Sequence, residues 1–314
     1  MKQQEKKVDF DKVVLAEVDT STNGAPLGYL CWTTVQKGDY PREDIRQALE
    51  DSRMGEKNLP RKISAVNAFK RASKEAEINV KQEDGIRHNY LVRDVSNDDD
   101  KIIRHLVKEV RDSVNVKLDH ESVAIFKFDK KNGDGEDQFR SALINDDGVA
   151  DEQVEDAHVR YEKYLTHHND AHIRAIVRAA LHQAKALLVR ESGGVYFVPF
   201  EEREKLFNLQ TFLEIIDCSA KKLKVIDDVD GQEMMTNALE ENIEDTFHEC
   251  KRMVATSDAI PKAKVQAQME KARSFVKNYS LYKEKIKSET DKMDEMVNHL
   301  KDVVGDMLDK MDDN

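Results

Sequence analysis

Residues 265–307 read VQAQMEKARSFVKNYSLYKEKIKSETDKMDEMVNHLKDVVGDM, and this stretch decides how the rest of the chain is approached. Val265, Gln268, Ala272, Phe275, Tyr279, Tyr282, Ile286, Glu289, Met293, Met296, Leu300, Val303 and Met307 succeed one another at alternating spacings of three and four. Two helical turns take about seven residues, so this rhythm lays the side chains along one face of a helix. Only Gln268 and Glu289 are plainly polar. One continuous helix of roughly 45 residues would be about 65 Å long. Thr236, Leu239, Ile243, Thr246, Cys250 and Met253 keep the same spacing upstream, until 257–261 interrupts at Pro261. The pattern predicts a helical hairpin or coiled-coil stalk over 231–314 whose longer second arm overhangs. An apolar stripe of that length seeks cover from water. It therefore points to a homo-oligomer or a gripped protein partner, with Phe275, Tyr279, Tyr282, Ile286, Met293, Met296, Leu300, Val303 and Met307 as the interface.

Upstream the texture changes twice. Residues 149–230 read as helix, strand, helix, strand. A helical pattern runs from about Asp151 to Val189 and is broken by Ser192-Gly193-Gly194, and VYFVPF follows as a strand. Leu206, Leu209, Phe212, Leu213 and Ile216 share one face of a helix over 201–216, and 222–226 returns as a strand beside VYFVP. Residues 85–148 hold β-branched runs separated by polar turns, HNYLVRDV, KIIRHLVKEV and SVAIFKFD, which predict a small antiparallel meander. The middle run also fits helical spacing through Ile103, Leu106, Val107 and Val110, and its periodicity leaves both readings open. Residues 1–84 suggest two strands, 11–19 and 27–36, then two helical segments opened by Pro41 and by Leu59-Pro60. The fold class expected is α+β, predominantly helical, with small antiparallel sheets in a body followed by the helical stalk.

Composition narrows the function classes. The 314 residues are 39% hydrophobic and 36% charged, with a formal net charge of −12 and a mean hydropathy of −0.70. The charge is uneven: about +1 over 1–90, −8 over 91–220 and −5 over 221–314. Such a chain repels phosphate at long range, so any nucleic-acid contact needs a local basic patch. No run approaches the ~18 apolar residues of a membrane span, and residues 1–20 do not read as a signal peptide. The expectation is a cytoplasmic protein with no membrane contact. Cys31, Cys218 and Cys250 are odd in number and far apart, which indicates neither a disulfide framework nor a zinc knuckle.

Catalytic and metal motifs are wanting. There is no Gly-Lys dipeptide and hence no P-loop, and neither a G-x-S-x-G elbow nor a G-x-G-x-x-G fingerprint occurs. Residues 131–135, KNGDG, echo the middle of a calcium loop, but Lys130 and Ser141 stand where the first ligand and the closing Glu should be, which favours a plain turn. His168 and His172 form an i, i+4 pair on the expected helix, yet a zinc site needs a third ligand, so solvated histidines are the stronger reading. No catalytic residue, metal or cofactor is expected.

The one charge anomaly is 57–74, KNLPRKISAVNAFKRASK, with six basic residues and no acidic one. Together with the helix before it, this segment could form a helix-turn-helix offering Arg61, Lys62, Lys70, Arg71 and Lys74 to phosphates. A DNA-binding protein is thus the alternative to an assembly factor. A basic surface docking on an acidic protein face explains the same residues.

Three stretches occur together: Gly28-Tyr29-Leu30 with Trp32; Leu59-Pro60-Arg61 followed by Ala68-Phe69-Lys70-Arg71-Ala72; and Gly193-Gly194-Val195-Tyr196-Phe197-Val198-Pro199. In them the chain resembles an uncharacterised family of bacterial, archaeal and phage hypothetical proteins, over about residues 10–220. The resemblance implies a phage or mobile-element context and carries no site residue.

Overall fold

The structure, a computed structural model, describes residues 26–82, 85–112, 116–131, 138–190, 194–256, 260–287 and 290–312. The strand expected at 11–19, the KNGDG loop beyond Lys131, Ser192-Gly193 and the turn at 257–259 lie outside them. The elements in chain order are β1 (Pro26–Thr34), β2 (Asp39–Pro41), α1 (Arg42–Asp51), α2 (Ala65–Lys74), β3 (Ile78–Lys81), β4 (Arg87–Asn97), β5 (Lys101–Arg111), β6 (Lys117–Asp129), β7 (Phe139–Leu143), α3 (Gly148–Thr166), β8 (His167–Asn169), α4 (Asp170–Gln183), β9 (Leu187–Arg190), β10 (Val195–Pro199), α5 (Arg203–Ile215), β11 (Ser219–Ile226), α6 (Val229–Ala255), α7 (Lys262–Lys283) and α8 (Asp291–Asp312). The class is α+β, predominantly helical, with antiparallel sheets and C-terminal helices. The described residues divide into two compact units: one within 34–180 and 208–219, the other within 26–33, 181–207 and 220–312.

In the 34–180 unit, β3 to β7 form a five-stranded antiparallel meander in sequence order. The ambiguous run 102–110 is its central strand, pairing Leu106 with Val92 on one side and Ala124 on the other. Two neighbouring ladders satisfy its backbone, and that context overrides the helical spacing. β3 and β7, too short and too polar to stand out in the sequence, complete the sheet. One sheet face carries Tyr90, Ile102, Leu106, Phe126, Phe128 and Phe139 into a core shared with α2 and α3. Phe69 of α2 sits 5.2 Å from the Phe128 ring and 5.0 Å from Phe139, centroid to centroid.

Helix α2 is anchored at both ends. Ser64 accepts from Asn67 N at its start, and the Arg104 guanidinium donates to Lys70 O near its end at 2.7 Å. A recognition-type helix-turn-helix is not formed. Residues 52–64, including a 3₁₀ turn at Glu56–Asn58, separate α1 from α2, whereas that motif needs a turn of three or four residues. Ala68, Phe69 and Ala72 of α2 are committed to the sheet core.

The helical pattern expected through 151–189 is interrupted. β8 replaces helix at His167–Asn169 and pairs antiparallel with β2, Tyr40 opposite His168. Asn169 then accepts from His172 N and starts α4, and Leu187-Leu188 belong to strand β9. Polar Thr166 to Asp170 offers side chains that compete with helical hydrogen bonds, which explains the break.

In the other unit the sheet order is β11-β1-β10-β9. β11 therefore lies beside β1, not beside β10 as the sequence suggested. Gly28 lets β1 close on β10, since a Cβ there would fall within the Val198 carbonyl oxygen and against the Phe197 ring. Leu27, Leu187, Phe197 and Val225 from the sheet share one core with Met235, Leu239, Tyr282, Ile286 and Met293 from the C-terminal segment.

That segment is three helices, not a hairpin with one overhanging arm. The seam breaks between α7 and α8 because the backbone there finds partners off the helix. Gln232 of α6 donates to Lys285 O at 2.9 Å and accepts from Lys287 N at 3.1 Å. Tyr279 and Lys283 both donate to Asp294, at 2.9 and 2.6 Å, tying the end of α7 to the start of α8. The far ends of the three helices meet in a second core of Cys250, Met253, Val265, Met269, Ala272, Leu300 and Met307.

Candidate functional site

Because the three helices pack together, the seam is covered by its own chain. Tyr279, Tyr282, Ile286, Met293, Leu300 and Met307 are each at most 8% exposed. Phe275, Met296 and Val303 are half-buried against the same cores. Tyr282 sends its hydroxyl to Lys185 O beneath the sheet. The partner-gripping seam anticipated from the sequence is an internal contact.

The basic segment leads elsewhere. Arg61, on the loop before α2, and Arg71, on α2, line a cleft of about 230 Å³ in the 34–180 unit. They are joined there by Asp39, Ile63, Lys163, Tyr164, His167, His168, Asn169 and His172. Four local structures build it. The loop and α2 bring the two arginines, the last turn of α3 brings Lys163 and Tyr164, the β2–β8 ribbon sets Asp39 opposite Asn169, and the first turn of α4 adds His172.

The cations are held differently. Arg61 is exposed and makes no ion pair or hydrogen bond among the described residues. Arg71 lies over the Tyr164 ring, 4.6 Å from its centroid, with a long ion pair to Glu75 at 3.4 Å. Lys163 pairs with Asp39 at 2.6 Å. Behind the cleft, Arg42 reaches His168 Nε2 at 2.6 Å and also donates to Pro60 O. A guanidinium can only donate, so His168 Nε2 accepts and the ring is neutral. Burial first, then His172 and Arg42, pushes the His168 pKa down to about 4. The His168 and His172 rings stand 4.8 Å apart, and His172 Nδ1 meets Asn169 Oδ1 at 2.8 Å.

Of the five basic residues singled out in the sequence, the structure brings together Arg61 and Arg71. Lys62 is exposed next to Arg61 in the chain. Lys70 and Lys74 do not line the cleft, and Lys74 is spent on Glu77 at 2.8 Å. Asp39, Arg42, Lys163 and Tyr164 were missed. The available signal was the polar run Thr166 to Asp170 with its three neighbouring histidines, whose turn chemistry marks a break rather than more helix.

A larger cavity of about 570 Å³ in the same unit is lined by Gln36 to Pro41, Asp44, Gln47 and Ile215 to Asp217 among others, without converging cations. The three cysteines are buried and free, and burial pushes the Cys31 thiol up to about 12. Among the described residues no group of three or more His, Cys, Asp or Glu is placed to hold a metal ion. No helix among them is long and apolar enough to cross a membrane.

Comparison with curated proteins and with solved structures finds no match. A family model does match, and it runs through the C-terminal helices that the three-stretch resemblance left out. Spanning residues 26–313, it shows that the chain belongs to the family of unknown function DUF6744.

Proposed function

We propose that this protein binds nucleic acid through its phosphate groups, with Arg61, Arg71 and Lys163 as the primary contacts. The observation that carries the reading is their convergence, beside the imidazoles of His167 and His172, in one cleft of a chain whose net charge is −12. An acidic protein gains nothing from long-range attraction to a polyanion, so binding must come from a local excess of donors. Arg61 has no carboxylate partner among the described residues, which leaves the cleft net positive even after Asp39 and Glu75 are counted against Arg61, Arg71 and Lys163. Guanidinium groups match phosphate oxygens in pairs, and a lysine adds a point charge. The assembly reading rested on an apolar seam needing outside cover, and the chain itself provides that cover.

The test is fluorescence anisotropy of the full chain with labelled single-stranded and duplex DNA. Each phosphate contacted contributes about −0.7 to the log–log salt slope for a single strand, so binding should weaken steadily as salt rises. The double variant Arg61→Glu/Arg71→Glu should lose binding while keeping its thermal transition, because both side chains lie at the surface. Absence of binding by the intact protein at about 50 mM salt overturns the reading.

A further inference from the structure

Resting on that reading, we propose that the cleft takes the terminal phosphomonoester of a nucleic-acid strand in preference to an internal phosphodiester. Size is the first argument. A backbone running through a binding site needs a groove that admits several nucleotides and is open at both ends. The cleft offers about 230 Å³, below the 300–1,000 Å³ of a usual small-molecule pocket. Its enclosed part has room for a phosphate and part of the attached sugar.

Charge is the second argument. An internal phosphodiester carries one negative charge and has only two unesterified oxygens. A terminal monoester carries about −1.5 to −2 at neutral pH and presents three strong acceptor oxygens. The donors gathered here suit the latter: the Arg61 and Arg71 guanidiniums, the Lys163 ammonium, and ring nitrogens of His167 and His172. Lys163 and Arg71 now rest on Asp39 and Glu75. A dianion can compete for them where a monoanion competes poorly.

Arrangement is the third. The Arg71 guanidinium lies over the Tyr164 ring, whose hydroxyl is tied to Glu75, so this guanidinium is held in place before any ligand arrives. Preorganised donors around a small volume recognise one anionic group rather than a length of polymer.

The experiment uses the full-length chain and one single-stranded DNA sequence in two forms, 5′-phosphorylated and 5′-hydroxyl, both labelled at the 3′ end. Anisotropy at one salt concentration should show the phosphorylated strand binding about tenfold tighter. Arg61→Ala should erase that difference, and inorganic phosphate at millimolar concentration should narrow it. Equal affinities for the two strands overturn the inference while leaving strand binding intact. Failure of both strands to bind overturns the underlying reading instead. A free 5′-mononucleotide that binds as tightly as the phosphorylated strand also overturns the inference, since the strand would then add nothing.

Discussion

Helices α6 to α8 and the segment 163–172 are opposite cases in one molecule. The first carries the strongest periodicity in the sequence, and its seam is consumed in covering a sheet and in packing helix on helix. The second reads in the sequence as an undistinguished stretch of helix, yet the chain breaks there and gathers Lys163, Tyr164, His167 and His172 around two arginines. A sustained apolar stripe reports that something will be buried, and it is silent on whether the cover is another molecule or the same one. Polar side chains are free to act where the regular pattern fails, because their backbone is no longer committed to it.

The largest expected effect tests the first half of this contrast. Removing residues 232–314 takes Met235, Leu239, Tyr282 and Met293 off Leu27, Leu187 and Phe197. An exposed stalk could be cut away harmlessly. Here the sheet β11-β1-β10-β9 loses its apolar cover, so the truncated chain should aggregate or lose the cooperative unfolding of that unit by circular dichroism. A soluble truncation with an undiminished transition would restore the stalk.

A milder pair sharpens the same contrast. Leu300 and Phe69 are both fully buried, one in each unit. Leu300→Ala should cost about 2–5 kcal/mol and Phe69→Ala about 3–5 kcal/mol. Arg61→Ala, at the cleft, should stay within about 0.5 kcal/mol because the side chain is exposed and makes no ion pair or hydrogen bond among the described residues. Urea denaturation separates these values, and a loss at Arg61 as large as at Leu300 would mean that the cleft is a structural joint.

What was legible in the sequence follows from this division. The meander, β10, α5 and the C-terminal helices announce themselves through β-branched runs or a period near 3.6, since each buries one face. The break between α7 and α8 does not, because its cause is Gln232, more than fifty residues away, bonding to Lys285 and Lys287. The β11–β1 pairing is likewise non-local. At the site, Arg61 and Arg71 stood out as cations in a stretch without acids, whereas Asp39 and Lys163 reach them only through the β2–β8 ribbon and the α2–α3 packing. No spacing along the chain encodes those approaches.

The smallest effect is the most specific to the cleft. In the folded chain His168 is neutral, accepts from Arg42 and takes up a proton only near pH 4, against 6.5 for a free imidazole. Between those two values the unfolded chain binds the extra proton and the folded chain does not, so stability falls as pH falls through that window. The groups facing His168 are Arg42 and His172, with His167, Lys163 and Asp39 nearby in the cleft. His168→Gln keeps an acceptor for Arg42 and cannot titrate. Its melting temperature should therefore fall less than that of the parent between pH 6.5 and 4.5, with little difference at pH 7.5. Parallel curves for the two proteins would place the proton elsewhere, and would leave the neutral His168 as packing for Arg42 alone.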